Sequence, residues 1–317
     1  MSLFLLQWVV VLLVALYAMY KGAEIVQLGL KQMGVAFKVQ PRYYGAVLAG
    51  IASALPVLAL AVSSVFFGQS PLVMPLVMGS ALTYLLLIGG MVACVGGSIV
   101  LWEDFLKTAL PVFCITVVLF VLSVQDGVLD RLEAILFLCV FCIFLGNIFV
   151  VSRAEKTAGE STQPLELFSL TSLVYVIFGL VALIVGAKFT IDMVVNIAYA
   201  LSITVPLLGI SVIAFLVTLP TLFLVLKALR RKDVSYALGV IIGAAVSTLL
   251  AASGFASLWS GNVIVHAMVI DIGVPILIVA AIIIFVSSLS RHFVRPVGLM
   301  MMLVFIFFLL KLTAYIG

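Results

Sequence analysis

Charge is the scarcest commodity in this chain: only 9% of its residues are Asp, Glu, Lys or Arg, where a water-soluble domain carries about 25%. That shortage leaves no polar surface for a soluble module. An ATPase, a nucleic-acid-binding domain or a receptor ectodomain has no place in the 317 residues. Histidine is nearly absent, with His266 and His292 alone, so no H-E-x-x-H zinc pair exists. No G-x-G-D aspartyl pair occurs either. Ser253-Gly254 is not preceded by the glycine of a G-x-S-G serine site, because Ala251 stands there. The chain is therefore not expected to be an enzyme, and no cofactor is expected. The four cysteines, Cys94, Cys114, Cys139 and Cys142, fall in apolar runs. There, redox exchange and metal loading lack solvent, and Cys139-x-x-Cys142 has no His or second pair beside it. No metal site is expected.

What is present is apolar. The chain is 66% hydrophobic with a mean hydropathy of +1.45. A bilayer core of about 30 Å needs about 20 apolar residues per helix, and charge-poor runs of that length lie near 3–22, 43–66, 71–97, 105–125, 129–152, 167–187, 203–226, 234–259, 263–289 and 294–314. Barrel strands would be runs of about ten with alternating polarity, so the fold class is an all-α integral membrane protein of about ten transmembrane helices. Ser2 to Tyr20 lacks a basic leader and a small-residue cleavage site and reads as a retained span. With the N-terminus outside, inner positions hold Lys21, Lys31, Lys38, Arg42, Lys107, Arg153, Lys156, Lys227, Arg230, Arg231, Lys232, Arg291 and Arg295, and outer positions hold Arg131, Lys188 and Lys311. The positive-inside rule then places both termini outside, and a bacterial inner membrane is the expected location. The net charge of +4 is absorbed by this topology, and no nucleic-acid partner is implied.

An internal repeat organises the chain. Gly22-Ala23, Gly45, Pro56 and Gly79 recur as Gly186-Ala187, Gly209, Pro220 and Gly243, every member displaced by 164 residues. Leu55-Pro56 matches Leu219-Pro220, Gly90 matches Gly254, and Arg131 matches Arg295 at the same offset. A shift of five spans, an odd number, turns the second half upside down. The expected layout is a first membrane repeat at 1–152, a polar inner linker at 153–166 and a second repeat at 167–317, forming two inverted five-helix halves. In such folds the cargo site lies near the midplane where helices from both halves are interrupted. Pro56 and Pro220 sit centrally in their spans, and each removes a backbone donor and frees a carbonyl.

These elements resemble the sodium/calcium exchanger, or cation/Ca2+ exchanger, superfamily. Its two α-repeats read roughly G-A-[DE]-x-L-V, then G-[LI]-T-[IV]-V-A-x-G-T-S-L-P-E, then G-N-x-x-G-S-N-x-x-N. Gly22-Ala23-Glu24-Ile25-Val26, the run Tyr44 to Val57 and Gly79-Ser80-Ala81-Leu82-Thr83 fall on the three elements. Gly186-Ala187-Lys188, Leu208 to Thr221 and Gly243-Ala244-Ala245 repeat them, and Asp130-Arg131-Leu132-Glu133 resembles the family's opening of the fifth helix. The resemblance implies antiport of an ion or small solute by alternating access within the lipid bilayer. In the family the glutamate ending each S-L-P-E, with the third-element asparagines, coordinates the cations. Here those glutamate positions are Val57 and Thr221, and the later asparagines are Ala81 and Ala245. The glycine-asparagine positions are Pro75-Leu76 and Gly239-Val240. Calcium takes six to eight oxygens, normally including carboxylates, so calcium coordination of the family's kind is not expected.

The candidate site is then hydroxyl and kinked backbone: Ser53, Pro56, Val57, Ser80, Thr83, Thr218, Pro220, Thr221, Ser247 and Thr248. It suits a weakly held monovalent ion or a neutral polar solute; alternatively these hydroxyls satisfy helix backbones, and the chain is a transport-inactive homologue serving as a membrane scaffold or assembly partner. Asp271, about eight residues inside span 263–289, is the candidate for proton coupling, with an outer-vestibule carboxylate as the other reading. Glu24, Gln27 and Lys31 form one polar stripe; Lys188, Asp192 and Asn196 form its counterpart, which a Lys188–Asp192 pair at i, i+4 would explain.

Overall fold

The structure is a computed structural model that describes residues 2–36, 44–96, 99–100, 109–154, 170–231, 233–289 and 292–314. The first half runs α1 (Ser2–Ala36), α2 (Tyr44–Ser53), α3 (Leu55–Phe66), α4 (Val73–Leu82) and α5 (Gly89–Gly96), then β1 (Ile99–Val100), α6 (Leu110–Val124), β2 (Val128–Asp130) and α7 (Arg131–Ala154). The second half follows as α8 (Leu170–Leu201), α9 (Val205–Leu208), α10 (Ala214–Arg230), α11 (Val234–Ser247) and α12 (Ser253–Ser260). It closes with β3 (Asn262–Ile264), α13 (Val274–Leu289), β4 (His292–Phe293) and α14 (Arg295–Ala314). Beyond Ala154, the linker expected at 153–166 lies outside the described residues, as do Lys38, Arg42, Lys107, Lys156, Lys232 and Arg291.

Nine stretches among the described residues are long and apolar enough to cross a membrane, and Leu110–Val124 is a shorter apolar helix. The protein is an all-α integral membrane protein built of inverted repeats. Two spans, Ser70–Gly96 and Tyr236–Ser260, are 94% buried over their apolar windows, while Arg131–Ile148 and Arg295–Ala314 are 28% buried. The first pair therefore forms the centre, and the second pair faces lipid.

The offset of 164 holds in three dimensions. β1 pairs with β4 and β2 with β3, both antiparallel. Ile99 faces Phe293, and shifting the two by 164 in opposite senses gives Val263 and Leu129, which face each other in the other ribbon. Val100 and His292 likewise become Ile264 and Val128, also a pair. Such reciprocal exchange is what a twofold operator does, and it ties the end of each half to the other. Helix crossings obey the same rule. A Cβ on Gly22 would lie 2.9 Å from the Gly179 carbonyl oxygen, and one on Gly186 would lie 3.0 Å from that of Ala15; 22 to 186 and 15 to 179 are both shifts of 164. These glycines let α1 and α8 cross backbone to backbone, the close approach that small residues permit in lipid.

Two boundaries differ from the sequence reading. The first span was expected to end near residue 22 and the sixth near 187, but α1 continues to Ala36 and α8 to Leu201. At 35 and 32 residues they extend about 52 and 48 Å, longer than the bilayer core. A polar stripe marks a change of solvent, and an α-helix, whose backbone bonds are internal, continues through it. The second difference concerns the prolines. Pro56 was expected in mid-helix, but the helix breaks at Ala54 and Pro56 sits in the first turn of α3, where its missing N–H would have no intrahelical partner anyway. Pro220 does lie inside its helix, α10.

Candidate functional site

The two central spans share an irregularity that builds the site. Each is interrupted by a π-helical turn, Thr83–Ile88 in the first half and Thr248–Ala252 in the second. Such turns widen the backbone spacing and occur disproportionately at functional sites. The 83–88 turn packs on α10 and α11, and the 248–252 turn packs on α3 and α4. Each half's irregular turn thus lies against the proline-bearing helix of the other half.

The expected hydroxyls divide into two chemically distinct sets. In the first, Ser53 donates to the Gly50 carbonyl at 2.8 Å, Thr83 to Gly79 at 2.7 Å, Thr218 to Phe215 at 2.8 Å and Ser247 to Ala244 at 3.1 Å. These donate to their own helix, as Ser and Thr commonly do. In the second set, Ser80, Thr221 and Thr248 are buried and have no completed hydrogen bond among the described residues. Tyr84 joins them: its ring is fully buried and its hydroxyl has no completed hydrogen bond, and the turn that carries it packs on α10, the helix of Thr221. The sequence reading missed Tyr84, although its repeat mate at the offset of 164 is Thr248. An aromatic in an apolar run reads as packing until that pairing is drawn. Ser257, also buried without a partner, lies about 13 Å further along its span.

Around these hydroxyls the packing is apolar. Val57, Leu76, Ala81, Ala244 and Ala245 are fully buried. The spans Ala46–Phe66, Ser70–Gly96 and Tyr236–Ser260 contain no charged residue, and among the described residues no three His, Cys, Asp or Glu come together. Asp271 is not part of the cluster. It lies in the first turn of the span Val269–Leu289 with its side chain exposed, while Gly273 on the same turn packs on Met78. The charges of the two polar stripes find different partners. Glu24 is bound by Lys21 at 2.7 Å. Among the described residues, Lys188 makes no ion pair with Asp192 and instead lies 5.6 Å from the centre of the Phe67 ring, where a cation–π contact replaces the i, i+4 pair.

The family model for the sodium/calcium exchanger protein matches residues 7–150 and again 171–314. The chain belongs to this family. The two matched stretches are displaced by 164 residues at both ends (171 − 7 and 314 − 150), the offset read from the glycines and prolines. Among relatives of this exchanger-family chain is a membrane protein of Methanocaldococcus jannaschii, MJ0091, 23% identical over 93% of this chain and 94% of its own length. Another is the inner membrane protein YrbG of Escherichia coli, 25% identical over 70% of each chain. A solved structure of the sodium-calcium exchanger NCX_Mj superposes with a TM-score of 0.68 at 21% identity, covering 96% of this chain and 98% of that one. That likeness establishes the fold.

Proposed function

We propose that this exchanger-family chain is a secondary transporter that moves an ion or small solute in antiport by alternating access, without the carboxylate coordination that calcium requires. One observation carries the reading: Ser80, Tyr84, Thr221 and Thr248 are four buried hydroxyls with no completed hydrogen bond among the described residues, on elements of the two halves that pack against one another. Each such group costs about 1–3 kcal/mol when left unsatisfied, and a packed scaffold would gain stability by replacing them with apolar residues. A cargo that fills their hydrogen bonds removes that cost. Val57 and Thr221 at the glutamate positions argue against calcium, whose double charge would be buried without a countercharge. Asp271, exposed at a span entrance, is the remaining candidate for proton coupling. The first repeat at 1–152, the polar linker at 153–166 and the second repeat at 167–317 would rock against each other in a bacterial inner membrane, with both termini outside as the Lys and Arg distribution favours.

The complete burial of Val57, Leu76, Ala81 and Ala245 favours a second reading, a transport-inactive scaffold whose former site is filled. Flux separates the two. Purified protein in proteoliposomes is loaded in turn with radioactive sodium, potassium, calcium and small polar solutes, with sodium or proton gradients imposed. Transport of a monovalent ion or a solute supports the first reading. Gradient-driven calcium uptake refutes the argument from Val57 and Thr221, and absence of all flux from folded protein leaves the scaffold.

A further inference from the structure

The two helices most exposed to lipid are repeat mates, yet they present different side chains to it. α7 and α14 open on Arg131 and Arg295, and each is 28% buried over its apolar window. On α14 the positions Leu303, Ile306 and Leu310 are 63%, 51% and 61% exposed. Their mates on α7 at the offset of 164 are Cys139, Cys142 and Gly146, which are exposed too. Bulky aliphatics suit acyl chains, whereas small residues suit the close approach of another helix.

Gly146 sharpens the contrast. A Cβ added to Gly22, Gly90, Gly179 or Gly298 would lie under 3 Å from the backbone of another helix, so these glycines mark crossings; one added to Gly146 would have nothing within 4 Å. Glycine weakens a helix relative to alanine, and here no helix of this chain gains from it.

Asn147 is an independent observation on the same face. Its carboxamide is exposed and makes no hydrogen bond among the described residues. Six residues, about 9 Å of helix, separate it from Arg153, where the apolar run ends, so the amide lies inside the hydrocarbon. Its mate Lys311 has a long stem that carries its charge toward the interface; asparagine has a single carbon and cannot follow. An amide without partners is costly in lipid. A second copy of the chain, inserted in the same orientation, holds its own Asn147 at the same depth, and a carboxamide both donates and accepts. Cys142 and Gly146 stand four residues apart, the small-xxx-small spacing of close helix pairs, and each is followed by another exposed residue, Ile143 and Asn147. A parallel crossing over Gly146 therefore sets one amide beside the other.

We propose that the protein pairs as a parallel homodimer through the exposed face of α7, with Cys142 and Gly146 at the crossing and the two Asn147 amides hydrogen-bonded across it. Such an interface is isologous, the same patch on both copies. It uses the side of α7 turned away from α12 and the 248–252 turn, on which the helix packs, and so does not depend on the transporter reading.

The test uses the full-length protein, fluorescently labelled at its C-terminus and reconstituted in liposomes over a range of protein-to-lipid ratios, with photobleaching steps counted per particle. Wild type is expected to pass from one-step to two-step bleaching as protein density rises. Asn147→Leu should raise the density at the midpoint about tenfold, the equivalent of two interhelical hydrogen bonds, and Asn147→Gln should restore it. Gly146→Leu should raise it at least as far; leucine is chosen because alanine still fits a small-residue crossing. Leu310→Ala, at the mate position on α14, should leave it unchanged. Thermal melts in detergent show that each variant is folded, and if Gly146→Leu is not, the asparagine variants carry the comparison. One-step bleaching of wild type at every density overturns the inference, and so does a dimer whose midpoint neither Asn147→Leu nor Gly146→Leu moves.

Discussion

Replacing Gly79 by alanine tests how tightly the centre is assembled. Gly79 lies in α4, on one of the two most buried spans, and a Cβ there would run into the backbone carbonyl of Ile210, with the Ala214 Cβ at 2.7 Å. Ile210 belongs to the π turn Gly209–Ile213 of the other half, so no side-chain rotation relieves the clash and the two halves must part. Alanine contributes up to about 1 kcal/mol in helix propensity over glycine. Overpacking a close-packed core costs about 1–3 kcal/mol, and the upper end applies where the obstacle is backbone. The expected net loss is about 1–2 kcal/mol, or roughly 2–8 °C in melting temperature at about 2–4 °C per kcal/mol. Gly146→Ala is the control, because Gly146 lies in α7 with nothing within 4 Å of an added Cβ; it should be neutral or raise the melting temperature. Melts of the two variants and wild type in one detergent decide the matter. If Gly79→Ala melts at or above wild type, the close crossing of α4 on the 209–213 turn is wrong.

Three further outcomes are expected. Thr248→Val removes a buried hydroxyl without a partner and keeps its shape, so the empty protein should melt unchanged or about 1 kcal/mol more stable while solute flux falls; a clear loss of stability without ligand would mean that the hydroxyl already has a partner. Val57→Glu places a carboxyl in a fully buried position, where desolvation favours the neutral acid. It should lower the melting temperature with no recovery in calcium, whereas the combination of Val57→Glu, Thr221→Glu, Ala81→Asn and Ala245→Asn should gain a calcium-dependent rise; such a rise in the single variant would show a cation site already nearly complete. Tags at Met1 and Glu160 should label from opposite sides of the membrane, and labelling from one side would contradict both the span number and the inverted topology.

How much of this was legible in the sequence depends on what fixes each residue. The repeat is legible because glycine is demanded wherever backbones touch. A Cβ on Gly298 would lie 2.6 Å from the Gly90 carbonyl oxygen, and the repeat mates of that pair, Gly254 and Ala134, meet in the same way. Only glycine or alanine stands at these crossings, so their spacing persists and the offset can be counted. The helix break before Pro56 is not legible, because Ala54 carries no turn signal and proline serves the first turn of a helix as readily as it kinks an interior. The division of the hydroxyls is hidden for a related reason. Thr83 and Ser80 share one span three residues apart, and only the fold decides that Thr83 donates to its own helix while Ser80 is buried without a partner among the described residues.

Architecture and chemistry are therefore written at different positions of this chain. Gly22, Gly90, Gly186, Gly243 and Gly254 answer to backbone geometry, the close crossings of helices on which this fold is built. In the proposed transporter, Val57, Thr221, Tyr84 and Thr248 answer to the cargo, and here the repeat symmetry is incomplete. The operator that sets the turn of Tyr84 against the helix of Thr221 sets the turn of Thr248 against the helix of Val57, which offers only methyl groups. One such set of mates carries two hydroxyls, Tyr84 and Thr221, and the other carries one hydroxyl, Thr248, and the hydrocarbon of Val57. A site with two equivalent carboxylates would have kept both halves alike, because each would serve the same ion in turn. Asymmetry at these positions, on a scaffold whose crossings remain symmetric, is why the fold identifies the family while the identity of the cargo must be argued from the hydroxyls themselves.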